Sequence, residues 1–260
     1  MTETVTTELR GHVLLIGLNR PAKLNAFDVA MLEELSAAYG RLESDEDAWV
    51  GVLFAHGDHF TAGLDLANVA AKLAGEGTLY REDQVDPWGV QARHRTKPLV
   101  AAAHGRCLTL GIELLLAADI RIAAEDTRFA QLEVQRGIYP FGGATIRFPR
   151  TAGWGDAMRW MLTGDEFDAA EAHRMGLVQE VVPPGWQVDR AVELATRIAE
   201  RSAPIGVRAT LASARRAVLE GERAAAGELV GDVVSLFSTE DAQEGVKSFV
   251  ERRSARFVNK

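Results

Sequence analysis

The stretch GRCLTLGIE, residues 105–113, places a carboxylate among residues that are otherwise apolar. Glu113 follows Gly111 by two residues and stands near the predicted start of an apolar helix. An isolated buried glutamate is rare, because a charged group loses its hydration when it is buried. Either the side chain reaches water, or a partner neutralises it, or a functional site requires it. Glu113 is therefore a candidate for acid–base chemistry.

A second glutamate with apolar neighbours, Glu133, lies in the stretch FAQLEVQRGIYP. Like charges in a site that excludes water move the pKa values of two carboxyl groups apart, so that one keeps its proton while the other is ionised. Such a pair supplies the acid and the base that adding water across a polarised double bond requires. Taken separately, Glu113 also fits a helix N-terminal residue favoured by the helix dipole, and Glu133 fits a surface residue. The two glutamates alone leave these interpretations open.

Two turns near these glutamates could supply hydrogen-bond donors to a developing negative charge. In FTAGLD, small residues allow the backbone to approach a ligand closely, and we predict that the Ala62 amide is free to point at it. In LTLGIE, the Leu110 amide lies in or just before the first helical turn, where amides lack intrahelical acceptors and the dipole favours an anion. Convergence of the Ala62 and Leu110 amides on one oxygen would form an oxyanion hole.

The composition is that of an ordinary soluble globular protein, with 260 residues of which 47% are hydrophobic and 25% are charged. The net charge of −8 argues against nucleic acid or an anionic membrane surface as the main partner, although a small anionic ligand needs only a local basic patch. Cys107 is the only cysteine, which fits a reducing compartment. Because the N-terminal segment lacks a signal-peptide pattern and no apolar run approaches the roughly 20 residues of a membrane span, we expect a cytoplasmic protein.

Several other chemistries lack their motifs in this sequence. The six histidines form no HExxH pattern, and His56 and His59 beside Asp58 fit a polar turn better than a metal site. No phosphate-binding GxxxxGK[ST] and no GxSxG occur, and GWGDAM at 153–158 lacks the third glycine of a dinucleotide-binding fingerprint. We therefore predict no metal and no separate cofactor.

Strands alternate with helices along most of the chain, and the end of the chain is helical. We predict buried strands at 12–19, 49–57, 98–105 and 119–124 and a last strand in LVQEVVPPG. Asn25 and Asp28 are predicted to cap one helix, and Asp168 is predicted to cap a short one that stops at Gly176. Residues 67–97 are predicted to be a polar, mobile connection. The pattern predicts an α/β core over residues 1–190 and a helical region over residues 191–260.

The chain resembles the crotonase superfamily, the enoyl-CoA hydratase/isomerase family, over nearly all of its length. The resemblance rests on five motifs in the family's order. They are LNRPAKLNAF, FTAGLDL, GRCLTLGIELLLAADIRIA, FAQLEVQRGIYPFGGATIRFPR and LTGDEFDAAEAHRMGLVQEVVP.

The resemblance implies a fold and the roles of several residues. The fold would be a spiral of ββα units, with a C-terminal helical region that packs into trimers, often paired as hexamers. Glu113 and Glu133 would match the family's two hydratase glutamates. The amides of Ala62 and Leu110 would hold the thioester oxygen of an acyl-CoA, so coenzyme A would enter as part of the substrate.

The resemblance also implies where coenzyme A binds. Its adenine and pantetheine would lie against Lys23 and Leu24, together with Gly63, Leu64 and Asp65.

The sequence departs from the family's hydratases at two places. Thr109 and Leu110 replace a run of glycines, which keeps the backbone amide but adds side chains next to it. Phe141, which follows Pro140, stands where hydratases usually have glycine, and the diene isomerase of the family places an aspartate there. Because phenylalanine cannot do acid–base work, we expect Pro140 and Phe141 to shape the acyl pocket.

We interpret the chain as an enoyl-CoA hydratase in which one glutamate activates water and the other supplies a proton, without assigning which does which. Two alternatives are an enoyl-CoA double-bond isomerase and an acyl-CoA-binding homologue with weak turnover. Apolar residues in the terminal helices exceed what a core of this size needs and predict a homotrimer or hexamer. They are Leu211, Val218, Leu229, Val233, Leu236 and Phe237.

Overall fold

The computed structural model describes residues 3–260, apart from the side chain of Glu76. Two short 3-10 helices, at Pro21–Lys23 and Glu133–Arg136, lie between the strands and α-helices. The elements in chain order are β1 (Val5–Arg10), β2 (Val13–Leu18), α1 (Val29–Ser44), β3 (Val50–Ala55), α2 (Leu66–Glu76), β4 (Leu99–Ala103), β5 (Arg106–Leu108), α3 (Leu110–Ala117), β6 (Ile120–Ala124), β7 (Arg128–Ala130), α4 (Ala144–Ala152), α5 (Trp154–Thr163), β8 (Phe167–Asp168), α6 (Ala169–Arg174), β9 (Glu180–Val182), α7 (Gln187–Arg201), α8 (Pro204–Glu220), α9 (Glu222–Leu236) and α10 (Glu240–Glu251).

The larger sheet of the described chain has six strands in the order β1-β2-β3-β4-β6-β9. β1 runs antiparallel to β2, and the other neighbours are parallel. Side chains on one face pack with α1 in the main hydrophobic core. Side chains on the other face pack with Ala191, Ala195 and Ala199 of α7. Because both faces are covered, β2, β3 and β4 are almost continuously apolar, as the sequence predicts.

A smaller sheet joins β5, β7 and β8. β5 and β7 are parallel, with Cys107 opposite Phe129, and an isolated bridge adds Thr61 in parallel on the other side of Cys107. The chain therefore repeats one unit: a strand in the larger sheet, a short strand or bridge in the smaller one, and a helix. β3, Thr61 and α2 form one unit, and β4, β5 and α3 form the next. This topology confirms the predicted spiral of ββα units.

The strands predicted from apolar runs are confirmed, whereas the short strands were not predicted. β5, β7 and β8 have only two or three residues each, which is too short for a periodic pattern to be recognised. β1 was not predicted either, because most of its residues are only partly buried, although it pairs with the neighbouring β2 across a two-residue turn. Helices α4 and α5 also lay outside the predicted elements.

Only one of the two residues predicted to cap α1 does so. The Asp28 side chain accepts a hydrogen bond from the Met31 amide at 2.9 Å. The prediction for Asn25 was wrong, because its buried side chain accepts from the Arg20 amide at 2.6 Å and donates to the carbonyls of His56 and His59. An amide side chain can donate and accept at once, so Asn25 holds two loops together instead.

The connection predicted over 67–97 is more ordered than its composition suggests. Its first part belongs to α2, and Trp88 in its second part is among the largest fully buried side chains. Asp86 is buried and accepts hydrogen bonds from the amides of Trp88, Val90 and Gln91 at 2.7–2.8 Å. One carboxylate thus satisfies three backbone amides that the turn would otherwise leave unpaired. The prediction of a loose polar connection was therefore wrong for these parts.

The end of the chain is helical, as predicted. Asp168 caps α6 by accepting from the Glu171 amide at 2.9 Å, and Gly176 follows with a positive φ of 77°. The boundary predicted at residue 190 falls inside α7, which packs on the larger sheet, while α8 and α9 pack against each other. No helix within residues 3–260 is both long and apolar enough to cross a bilayer.

Candidate active site

Glu113 is fully buried in the first turn of α3, between apolar residues that belong to the core. Its Oε1 atom accepts a hydrogen bond from the Ala144 amide at the start of α4, at 2.9 Å. Its Oε2 atom has no partner among the described residues. Burial raises the pKa of Glu113 to about 8, against the lowering effect of the Ala144 amide, and the nearby charge of Glu133 adds to the rise.

Glu133 begins the 3-10 helix that follows β7 and is also buried. Its Oε2 atom likewise lacks a partner in the described chain. Burial raises the pKa of Glu133 to about 7. The structure therefore brings together two carboxyl groups that exchange protons near neutral pH, each with one oxygen left for a ligand.

The smaller sheet places these groups at one end. Thr61 donates through its amide to the Arg106 carbonyl at 2.9 Å and accepts from the Leu108 amide at 3.0 Å. The Thr109 amide donates to the Ala130 carbonyl at 2.8 Å, which ties the start of α3 to the end of β7. Because these segments run in parallel, the residues that follow them all leave the sheet at the same edge.

Of the two amides predicted to be free to bind an oxyanion, only that of Leu110 is free in the described chain. Leu110 is the first residue of α3, and its amide has no acceptor within residues 3–260. The Ala62 amide is not free, because it donates to the Leu24 carbonyl at 2.8 Å. That part of the prediction is corrected.

The free amide of this turn lies two residues further on, at Leu64. The amides on either side of it are bonded: Gly63 donates to Thr61 Oγ1 at 2.9 Å and Asp65 donates to the Phe27 carbonyl at 2.9 Å. The Leu64 amide donates to no acceptor in the described chain. Gly63 packs directly against Thr109, which places Leu64 beside the start of α3 and Leu110. Two free amides thus lie at the same edge as the carboxyl groups.

Gly63 has to be glycine for this alignment. Its φ is +93°, and a Cβ built on it would collide with Oγ1 of Thr109. The absence of a side chain therefore allows the turn carrying Leu64 to lie directly against the start of α3.

The residues predicted to bind coenzyme A lie along one side of this turn. Leu24 has a positive φ of 52° and is 42% exposed, and the exposed Lys23 precedes it at the end of a 3-10 helix. Asp65 is less available than predicted, because its carboxylate lies 3.4 Å from Arg20 Nη1. This ion pair is partly exposed and holds the turn against the segment that begins with Arg20.

A narrow cavity of about 10 Å³, enough for roughly one water molecule, adjoins Leu110. Phe141 and Gly142 form part of its wall, while Pro140 is buried outside it. Its lining residues are Leu79, Tyr80, Asp86, Trp88, Val90, Gln91, Leu110, Phe141 and Gly142.

Trp88 is the main feature of this site that the sequence did not predict. It lines the cavity, and its indole Nε1 donates to the Leu110 carbonyl at 2.9 Å. The signal was an aromatic residue in VDPWG, a segment too polar and too rich in turn residues to suggest a buried side chain.

The histidines near residue 58 have structural roles. His56 Nε2 lies 2.8 Å from Thr6 Oγ1, and His59 Nδ1 accepts from the Arg106 amide at 3.2 Å. Within residues 3–260 no group of three or more His, Cys, Asp or Glu side chains could hold a metal ion.

The fold and this site define a crotonase-type enzyme, with two acidic groups beside two unpaired amides. The family model described as enoyl-CoA hydratase/isomerase matches residues 8–260. The chain belongs to the enoyl-CoA hydratase/isomerase family of the crotonase superfamily.

Similar proteins carry related names. The chain is 35% identical over 259 residues to the enoyl-CoA hydratase EchA19 of Mycobacterium tuberculosis, covering 97% of this chain and 96% of that protein. It is 32% identical over 257 residues to the short-chain-enoyl-CoA hydratase of Clostridium acetobutylicum, covering 96% and 95% of the two chains. A crystal structure of a probable enoyl-CoA hydratase/isomerase from Mycobacterium abscessus superposes with a TM-score of 0.96, at 59% identity over 99% of both chains.

The packing around Glu113 gives a first prediction. A Cβ added at Gly142 would lie 2.8 Å from Glu113 Oε2, 2.7 Å from Leu110 Cδ1 and 3.0 Å from Trp88 Cδ1. We expect Gly142→Ala to lower the free energy of unfolding by about 1–3 kcal/mol, because overpacking forces these side chains apart. Urea denaturation measures it.

The matched control is Gly155→Ala in α5, where an added Cβ meets nothing within 4 Å. It should leave stability unchanged or raise it by up to about 1 kcal/mol. Equal effects of the two substitutions would show that the site is not closely packed at Gly142.

Proposed function

We propose that this enzyme is an enoyl-CoA hydratase that adds water syn across the 2,3 double bond of a 2-enoyl-CoA. The observation that carries the proposal is the pair of buried carboxyl groups with raised pKa values, Glu113 and Glu133, beside the free amides of Leu64 and Leu110. Incubation with a short 2-enoyl-CoA and mass spectrometry for a gain of one water tests it. A product of unchanged mass with a shifted double bond would instead indicate an isomerase, and binding without product would indicate a binding homologue.

The proposed mechanism uses an acid and a base in turn. One glutamate, as carboxylate, takes a proton from water while the water oxygen bonds to C3. The electron pair of the double bond moves toward the thioester, whose oxygen gains negative charge. The other glutamate, as carboxylic acid, donates its proton to C2, so that one water is added and the site needs no further reactant.

The two amides would stabilise the enolate oxygen. Donors fixed by the fold act more strongly than water does, because they need no reorientation when the charge forms. In this proposal Leu64 replaces Ala62 as the partner of Leu110, since the Ala62 amide already has an acceptor.

The thioester position would place coenzyme A along the turn that carries Leu64. Gly63, Leu64 and Asp65 would then contact the pantetheine, and the exposed Lys23 and Leu24 would contact the nucleotide end. A lysine at the rim suits the phosphates of coenzyme A, because its ammonium is an exposed, mobile positive charge.

The carboxyl pair makes a prediction about pH. Activity requires one ionised and one protonated glutamate, so kcat/KM should fall below about pH 7, where both are protonated, and above about pH 8, where both are ionised. Glu113→Gln and Glu133→Gln should each lower turnover by roughly a hundredfold or more and remove one limb of the profile.

Steady-state hydration assays over roughly pH 5–10 would measure both effects. The exposed Glu125 supplies the control, since Glu125→Gln should keep wild-type turnover and both limbs. Wild-type activity in both active-site variants would contradict the two-glutamate mechanism.

Phe141 gives a prediction about chain length. Its ring forms part of the cavity wall and takes space that a longer acyl chain could fill. One methylene in a pocket changes discrimination by about 1–3 kcal/mol, so Phe141→Gly should raise kcat/KM for longer chains relative to short ones. If the ring serves only the core, the variant will instead lose stability, and the ranking of chain lengths will not change. Thermal unfolding and a chain-length series on the same variant separate the two outcomes.

We also propose that the enzyme assembles as a homotrimer or a dimer of trimers. Val218, Leu229, Val233 and Phe237 are 55%, 53%, 45% and 65% exposed in the single chain, and Leu211 and Leu236 are partly buried. Other apolar residues on α8–α10 are exposed as well, namely Leu219, Val230, Val234, Val246, Phe249 and Val250. A surface with so much apolar area is typical of a subunit interface.

Light scattering at micromolar concentration should therefore give three or six times the mass of the 28.2 kDa chain. A monomer mass under these conditions would contradict the proposed assembly.

A further inference from the structure

The cavity beside Leu110 has a polar group that the proposed reaction does not use. Tyr80 lines this cavity and is 4% exposed, and its hydroxyl has no hydrogen-bond partner within the described chain. A buried hydroxyl without a partner is unfavourable, because it has lost its water and gained nothing in exchange.

The other polar groups of the same wall are already paired. The Asp86 carboxylate accepts three backbone amides, and the Trp88 indole donates to the Leu110 carbonyl. The Gln91 side-chain oxygen accepts from the Leu79 amide at 3.0 Å. Among the lining residues, the Tyr80 hydroxyl is therefore the buried side-chain group left for a ligand.

The chemistry of this hydroxyl defines what it can bind. Burial raises the pKa of Tyr80 well above its usual value of 10, and the charge of Asp86 adds to the rise. The phenol thus stays neutral and donates a hydrogen bond at any working pH. The Asp86 carboxylate forms part of the cavity wall, and although the nearby Arg147 offsets part of its charge, it favours a neutral ligand over an anionic one.

We propose that the cavity selects acyl chains that carry a neutral oxygen, a hydroxyl or a keto group, to which the Tyr80 hydroxyl donates a hydrogen bond. This inference rests on the proposed function, since the acyl chain enters the cavity only if the thioester lies at Leu64 and Leu110. It adds a substrate class: short enoyl-CoAs oxygenated beyond the double bond, rather than plain hydrocarbon chains.

The test compares pairs of substrates of equal length. In each pair one 2-enoyl-CoA ends in a methyl group, and its partner ends in a hydroxyl at the same position, as in 2-hexenoyl-CoA and 5-hydroxy-2-pentenoyl-CoA. A series from pentenoyl to octenoyl places the hydroxyl at successive depths. The ratio of kcat/KM for the hydroxyl and methyl partners is measured at each length.

For the wild-type enzyme this ratio should exceed one at one length at least, and Tyr80→Phe should lower it there by roughly tenfold or more. A purely apolar cavity would favour the methyl partner at every length, because it would strip water from the hydroxyl without replacing it. A wild-type ratio below one throughout, or a ratio unchanged by Tyr80→Phe, would overturn the proposal.

Tyr139→Phe is the control. Tyr139 is 65% exposed and does not line the cavity. The same chemical change at this position should leave the ratio unchanged, which separates recognition at Tyr80 from a general effect of losing a tyrosine hydroxyl.

The two proposals fail differently. If crotonyl-CoA gains no water, the proposed hydratase function fails whatever the ratio is. If crotonyl-CoA is hydrated and the hydroxyl partner is never preferred, only the inference about Tyr80 is overturned. A carboxylate-ended partner extends the series, and its preference over the hydroxyl partner would likewise count against a neutral ligand.

Discussion

The parallel hydrogen bonding around Cys107 determines where the candidate site lies. The backbone of Thr61 pairs on one side of β5, and β7 pairs on the other, so three chain segments end at one edge. Leu64, Glu113 and Glu133 all follow these ends within a few residues. Backbone pairing fixes positions more firmly than contacts between side chains on loops, because every strand residue is held through its own backbone groups. A change of register in this small sheet would therefore move all of the proposed reacting groups relative to one another.

Burial of the two carboxyl groups in this site lowers the stability of the folded chain at neutral pH. Burial of Glu113 and Glu133 raises both pKa values, which means that the fold disfavours the ionised forms. The Ala144 amide offsets part of this cost at one oxygen of Glu113 and leaves the other oxygen unpaired. Such a balance keeps proton transfer near neutral pH, because a carboxyl at its ordinary pKa would be a weak base and almost never a proton donor there.

The sequence predicts the parts of the molecule that depend on local pattern. The apolar runs of β2, β3 and β4 could be read directly, because composition there agrees with burial. The apolar neighbours of Glu113 marked it only as a candidate, because a glutamate at the start of a helix can also reach water. The choice between the Ala62 and Leu64 amides could not be read directly, because it depends on which of them meets the carbonyl of Leu24, a contact between segments far apart in the chain. Trp88 was missed for the same reason: Asp86 turns a polar segment inward, and no local pattern shows that three amides converge on one carboxylate.

Trp88 also connects the cavity beside Leu110 to the proposed oxyanion hole. Its indole donates to the carbonyl of Leu110, the residue whose free amide faces the thioester in the proposed complex. The Leu110 carbonyl is therefore bonded to the cavity wall, while the Leu110 amide would contact the thioester oxygen. An acyl chain that displaced Trp88 would pull on the hydrogen bond to Leu110 and shift its amide, and a misplaced donor loses most of its effect on a developing charge. In the proposed complex the wall that would fit the acyl chain also holds the proposed oxyanion donor in place, so a poorly fitting chain would lower the rate of the chemical step as well as the strength of binding.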